Sequence, residues 1–232
     1  MNIVTTPDNK AVVLRDDGTW TYATATGPVL ARWKSLKVPA AIVKMLEGVF
    51  DRVGVKIVDT GEAITCEHRG DRIEITPGLD PSRVDFVVEI HAFQAERLAK
   101  QIASGAIDDL ERFRIAREVF VAAGRTNVGN PLLSNPSLRR IIRAKNLVHI
   151  YLVSPDAAQE PDARFSLIHL NKTTLLVPGH HGTPERVFRL TVPDVLELQQ
   201  VFGPALKRNR AREWLKIAKW YLDWRKRVEV PA

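Results

Sequence analysis

Three histidines and a glutamate late in the chain, His169, His180, His181 and Glu185, have side chains able to hold a metal ion or move a proton. Imidazole and carboxylate suit zinc, and a zinc held there would make the protein a metal-assisted hydrolase. Their spacing matches no hydrolase signature such as H-E-x-x-H, and His180 and His181 stand in LLVPGHHGTPERVF (175–188), among glycines and prolines. Neighbouring histidines in such a loop are ordinarily solvated. The preferred reading is a structural loop, with these four residues kept as a metal alternative and no catalytic residue, enzyme activity or cofactor assigned. No P-loop, Gly-x-Ser-x-Gly elbow, dinucleotide fingerprint or paired-cysteine motif occurs elsewhere.

The loop is positioned by a strand pattern that occurs twice. ITCEHRGDRIEITPG (64–78) aligns without a gap with FSLIHLNKTTLLVPG (165–179), pairing His68 with His169, Gly70 with Asn171 and Pro77-Gly78 with Pro178-Gly179. Gly and Asn both take the left-handed conformation of a tight hairpin turn. With one extra loop residue, FVVEI (86–90) matches FRLTV (188–192), and helical stretches QAERLAKQI and VLELQQVF follow. His180 and His181 then occupy the places of Leu79 and Asp80 in the first copy, so the architecture does not require them.

Upstream, Ile42, Met45, Leu46, Val49, Phe50 and Val53 recur at helical spacing, which predicts a helix begun at Pro39 and stopped by Gly54. Strands are expected at 55–59, 63–68, 71–76 and 84–90, with Ile64, Cys66 and His68 on one face and Phe86, Val88 and Ile90 as another inward row. A helix carrying Ala95, Leu98, Ala99 and Ile102 ends at Gly105. Another covers 107–123, a short basic helix follows Asn135-Pro136, and 148–153 reads as a strand. AVVLRDDGTWTY (11–22) reads as a hairpin on an Asp-Asp-Gly turn. The polar break at 155–161 is the expected internal boundary, giving segments 1–29, 30–155 and 156–232.

With 232 residues, 45% hydrophobic and 26% charged, the chain can bury a substantial core. It shows no secretory leader and no apolar run of about 20 residues, so a soluble, cytoplasmic protein is expected. One cysteine excludes an internal disulfide framework. Much of the net charge of +7 lies in ALKRNRAREWLKIAKWYLDWRKRV (205–228), whose Trp214, Ile217, Ala218, Tyr221 and Trp224 share a helical face. Packing of that face is the first reading. The second is an anionic membrane surface met by Trp214, Trp220, Trp224, Arg225, Lys226 and Arg227. A scaffold or nucleic-acid role is third, and nucleic acid is not an expected partner.

The order of amphipathic helix, strand pair with a polar turn, Pro-Gly, alternating strand DFVVEI and a helix leading to SGAIDD resembles the sterol carrier protein type two family. The likeness is clearest over residues 39–110, and the stretch after 156 is similar to a second, partial copy. The resemblance implies an α+β fold: an antiparallel or mixed sheet covered by helices around an apolar tunnel. It implies non-enzymatic binding or transfer of a lipid or other apolar small molecule, and a homodimer is possible because some family copies act as dimerisation modules. Candidate lining residues are Ile42, Met45, Val49, Phe50, Phe86, Val88, Leu98 and Ile102, with His68 and His169 as polar contacts. The bland reading is that the same residues fill a solid core. The chain departs from the family over 113–146, where no Gly-rich fourth strand is read.

Overall fold

Alternation of β-branched residues governs the centre of the first half of the chain. In the computed structural model, which describes residues 2–5, 11–14, 20–22, 27–126, 133–208 and 211–231, Val53, Val55 and Ile57 belong to a strand. The chain divides into two units, Met1–Asp108 and Asp109–Ala232. The fold is α+β, with seven α-helices among the described residues and sheets that mix parallel and antiparallel pairs.

The first unit opens with β1 (Asn2–Thr5), β2 (Ala11–Leu14) and β3 (Trp20–Tyr22), an antiparallel sheet of their own in that order. The expected hairpin is the β2–β3 pair; its Asp-Asp-Gly turn lies outside the described residues. Helices α1 (Pro28–Lys34) and α2 (Ala40–Met45) follow. Then come β4 (Arg52–Ile57), β5 (Ala63–Arg69), β6 (Arg72–Pro77), β7 (Phe86–Ile90) and α3 (Ala92–Ser104). The sheet order is β6-β5-β4-β7, with β4 antiparallel to β5 and parallel to β7. Gly105, at φ 81°, ends α3 as expected.

Two expectations about this unit are corrected. The helix expected from Pro39 to Val53 stops at Met45, and Gly48, at φ 77°, lies in the turn that follows. Gly54 is a buried residue in the middle of β4 and ends no helix. Helix α1 begins at Pro28, inside the segment 1–29 expected to precede the first unit. The carboxylate of the buried Glu62 accepts the backbone N–H of Leu30 in its first turn.

The second unit contains α4 (Asp109–Thr126), α5 (Pro136–Ile141), β8 (Leu147–Leu152), β9 (Ala163–Leu170), β10 (Thr173–Pro178), β11 (Arg186–Leu190), α6 (Val192–Arg208), α7 (Ala211–Val228) and β12 (Glu229–Val230). Its order, β10-β9-β8-β11-β12, has the same connectivity and strand senses through its first four strands, with β12 added antiparallel on β11. The polar break at 155–161 is therefore the β8–β9 connection. Glu160 in that break receives the guanidinium groups of Arg114 and Arg117 from α4, the Arg117 pair at 2.8 Å, which ties it into this unit. The unit's core joins Val148, Ile150, Leu152, Phe165, Phe188 and Leu190 on one sheet face to Phe113 and Phe120 of α4, Val195 of α6 and Trp224 of α7.

Candidate functional site

Strand register places the same small devices in both sheets. Asp85, just before β7, accepts the N–H groups of Asp51 and Arg52 at 2.6 and 3.1 Å; Glu185, just before β11, accepts those of Asn146 and Leu147 at 2.8 and 3.3 Å. Thr65 Oγ1 donates to the carbonyl of Gly78 at 2.7 Å, and Ser166 Oγ to that of Gly179 at 2.9 Å. Gly70 and Asn171 both have positive φ at the hairpin tips. The β7 counterpart is RVFRL (186–190), because Val53 pairs with Phe86 and Val148 with Arg186. The expected match to residues 188–192 is thus displaced by two residues. An even slip keeps every side chain on its face, so inward parity survived the error.

These devices explain the four residues that looked metal-ligating. Glu185 holds the entry to β8, and the backbone N–H groups it accepts, with Lys145 at 3.8 Å, keep its carboxyl below the usual carboxylate range. A carboxylate with a lowered folded pKa stabilises fully above its ordinary value, and that contribution is lost as pH falls through the folded one. Glu185→Gln should therefore cost no more than about 0.5 kcal/mol near neutrality, because the carboxylate is 42% exposed and screened by solvent, with the difference from wild type vanishing in acid. Urea unfolding at a series of pH values checks this. His169 Nδ1 lies 2.9 Å from Thr174 Oγ1 across its hairpin. Burial, with Arg139 nearby, pushes its pKa down. His180 and His181 are on the opposite sheet face from His169, fixed by the loop. Among the described residues no three His, Cys, Asp or Glu side chains are arranged to hold a metal.

The loop histidines do have partners, one of which the sequence reading missed. His149, the third residue of β8, stacks on His180 with ring centroids 4.1 Å apart and planes 9° from parallel. Its Nε2 meets the carbonyl of His181 at 3.1 Å, and His180 Nε2 meets that of Ile150 at 3.4 Å. The Tyr151 and His180 rings meet in a T shape, with centroids 4.4 Å apart and planes at 82°. Burial, with His149 and Arg164 nearby, pushes His180 down despite the Ile150 carbonyl. At the same register position the first unit has Gly54, on which the buried Leu79 rests. The stack thus fills a site that a leucine fills elsewhere. The signal for His149 was its alternate position in LVHIYL.

The apolar lining candidates lie in the first unit. Phe86 and Val88 share a sheet face with Val53, Val55, Ile64 and Cys66. Burial pushes the Cys66 thiol up to about 12, so it is no nucleophile at neutral pH. Ile42, Phe50, Phe86 and Ile102 are buried, whereas Met45, Val49, Val88 and Leu98 are half-buried. His68 shares this face, and its Nε2 lies 3.1 Å from the carbonyl of Val43 in α2. That bond ties helix to hairpin.

The described end of the basic tail, from Ile217 onward, is packed. Ile217, Ala218 and Trp224 are buried, Trp224 against Phe188 and Trp220 at 5.9 and 5.6 Å between ring centroids. Arg225 pairs with Glu229, Arg227 with Glu197, and Trp220 Nε1 donates to Glu197. Of the residues proposed for a membrane or phosphate surface, Trp224 is thereby removed, because its indole is core. Lys226, paired with Asp223, and Arg227 stay exposed; the Trp214 side chain is outside the described residues. Among the described residues no helix is long and apolar enough to cross a membrane. Compared with known proteins, the chain matches no family model, no curated protein and no solved structure.

Proposed function

We propose that the protein is a non-catalytic, cytoplasmic binding protein of sterol-carrier-like architecture, built from two copies of one unit, whose first unit holds a lipid or other apolar small molecule. One contrast between the sheets carries this reading. In the second unit the apolar face at Phe188 is closed by Trp224 of α7, and the β11 edge by β12. In the first unit the same register position is Val88, and no helix or strand follows α3 among that unit's described residues. Val88 stays half-buried where its counterpart Phe188 is buried in a packed core, while Leu98 and Leu198 are half-buried alike.

An apolar ligand there would take the place that the indole takes in the second unit. Such a site asks for dry volume and few polar groups, and it needs no sharp motif. Titration of the full chain with a fluorescent long-chain fatty acid tests the reading. Saturable binding is expected, weakened by Val88→Trp at least about tenfold, or about 1.4 kcal/mol, with the circular dichroism spectrum unchanged. Equal uptake by both proteins, or none by either, would contradict it.

A further inference from the structure

The outward faces of the two sheets, opposite their helix-covered faces, differ in chemistry at matching positions. In the first unit, one cross-strand row is Arg52, Glu67 and Glu74, with Arg69 beside it. The four are laced together: Arg52 to Glu67 at 2.9 Å, Arg69 to Glu67 at 3.0 Å and to Glu74 at 3.5 Å. This is an ordinary solvated face. In the second unit the same row is Leu147, Ile168 and Leu175, with Leu170 at the place of Arg69 and Val177 alongside. Leu170 is 64% and Leu175 40% exposed. A ladder of ion pairs in one sheet is thus a stripe of aliphatic side chains in the other.

The stripe has a charged rim. Arg164 stands exposed, 6.0 Å over the Tyr151 ring, and Lys172 is exposed at the hairpin tip. Neither forms an ion pair among the described residues. Arg189, also over Tyr151, is paired with Asp162 at 3.1 Å. We propose that this face of the second sheet is a docking surface for an acidic amphipathic helix of a partner protein. Three strands about 4.8 Å apart present a stripe roughly 10 Å across, which matches the apolar face of one helix. The opposite face of the same sheet is already covered by helices in this manner. The unpaired Arg164 and Lys172 select carboxylates on the helix flanks. The same two cations, on a chain of net charge +7, oppose stacking of two copies through this face.

The test uses the full chain and two synthetic helical peptides of about five turns with the same leucine stripe, one with glutamate and one with lysine at the remaining positions. Fluorescence anisotropy should show saturable, salt-sensitive binding of the glutamate peptide and much weaker binding of the lysine peptide. Leu170→Glu with Leu175→Glu, both at exposed sites, should weaken the glutamate peptide at least about tenfold. Arg164→Glu with Lys172→Glu should reduce the preference for it. Binding of neither peptide, or equal binding of both, would overturn the proposal. So would a concentration-dependent dimer that the leucine changes abolish, which would make a second copy the occupant. Sedimentation with phosphatidylserine vesicles, lost in the same variants, would assign the face to lipid and equally overturn it.

Discussion

Trp224→Ala is expected to destabilise the second unit by about 3–5 kcal/mol, the range for deleting a large aromatic side chain from a packed core. The indole is 2% exposed, with Phe188 edge-on at 5.9 Å, Trp220 stacked at 5.6 Å and Tyr221 at 5.9 Å between centroids. Its N–H has no hydrogen-bond partner among the described residues, so the loss is one of packing. Neighbours held in α7 and β11 can collapse only partly into the space. Trp220→Ala should cost less, because that ring is half-buried and its N–H is satisfied by Glu197. Urea unfolding followed by circular dichroism measures both. A loss below about 1 kcal/mol for Trp224→Ala would show that α7 is not part of the core.

The second large effect belongs to Gly54. A Cβ built there lies 2.2 Å from Leu79 Cδ1 and 3.3 Å from Cγ, and Leu79, 1% exposed, has little room to move. Glycine inside a strand commonly marks such a close approach. Gly54→Ala should therefore cost about 1–3 kcal/mol as overpacking, and Leu79→Ala about 2–4 kcal/mol as a cavity. The double variant should be more stable than the sum of the two costs by at least about 1 kcal/mol, because the methyl added at residue 54 enters the space vacated by Leu79. Strict additivity in the urea transition would refute the contact. The same site in the second sheet is filled by the His149–His180 stack.

Turn chemistry and side-chain parity were the legible part of the sequence. The two hairpins, their Gly70 and Asn171 tips and the Pro-Gly exits follow from residue type alone, since few residues tolerate positive φ. Residues 46–53, a turn followed by the start of β4, read as helix because Leu46, Val49, Phe50 and Val53 satisfy helical spacing. Val53, Val55 and Ile57 satisfy alternation equally well, and pairing with β5 and β7 decides the outcome. The polar stretch 155–161 reads as an internal boundary because nothing local shows that Glu160 meets Arg114 and Arg117, more than 40 residues upstream. The loop position of His180 and His181 is legible, but their partner His149 comes from a strand 31 residues before His180, which no local pattern reveals. The aliphatic stripe of the second sheet becomes visible only once cross-strand neighbours are known, for Leu147, Ile168 and Leu175 are scattered in sequence and adjacent in space.

Whether the first unit holds an apolar molecule is decided by native mass spectrometry of the freshly purified chain, followed by solvent extraction of whatever it carries. A discrete adduct with the mass of a lipid or other apolar molecule is expected, absent from Val88→Trp. A clean mass for the bare chain, unchanged after incubation with fatty acids and sterols, would contradict it and identify the residues around Val88 as a filled core.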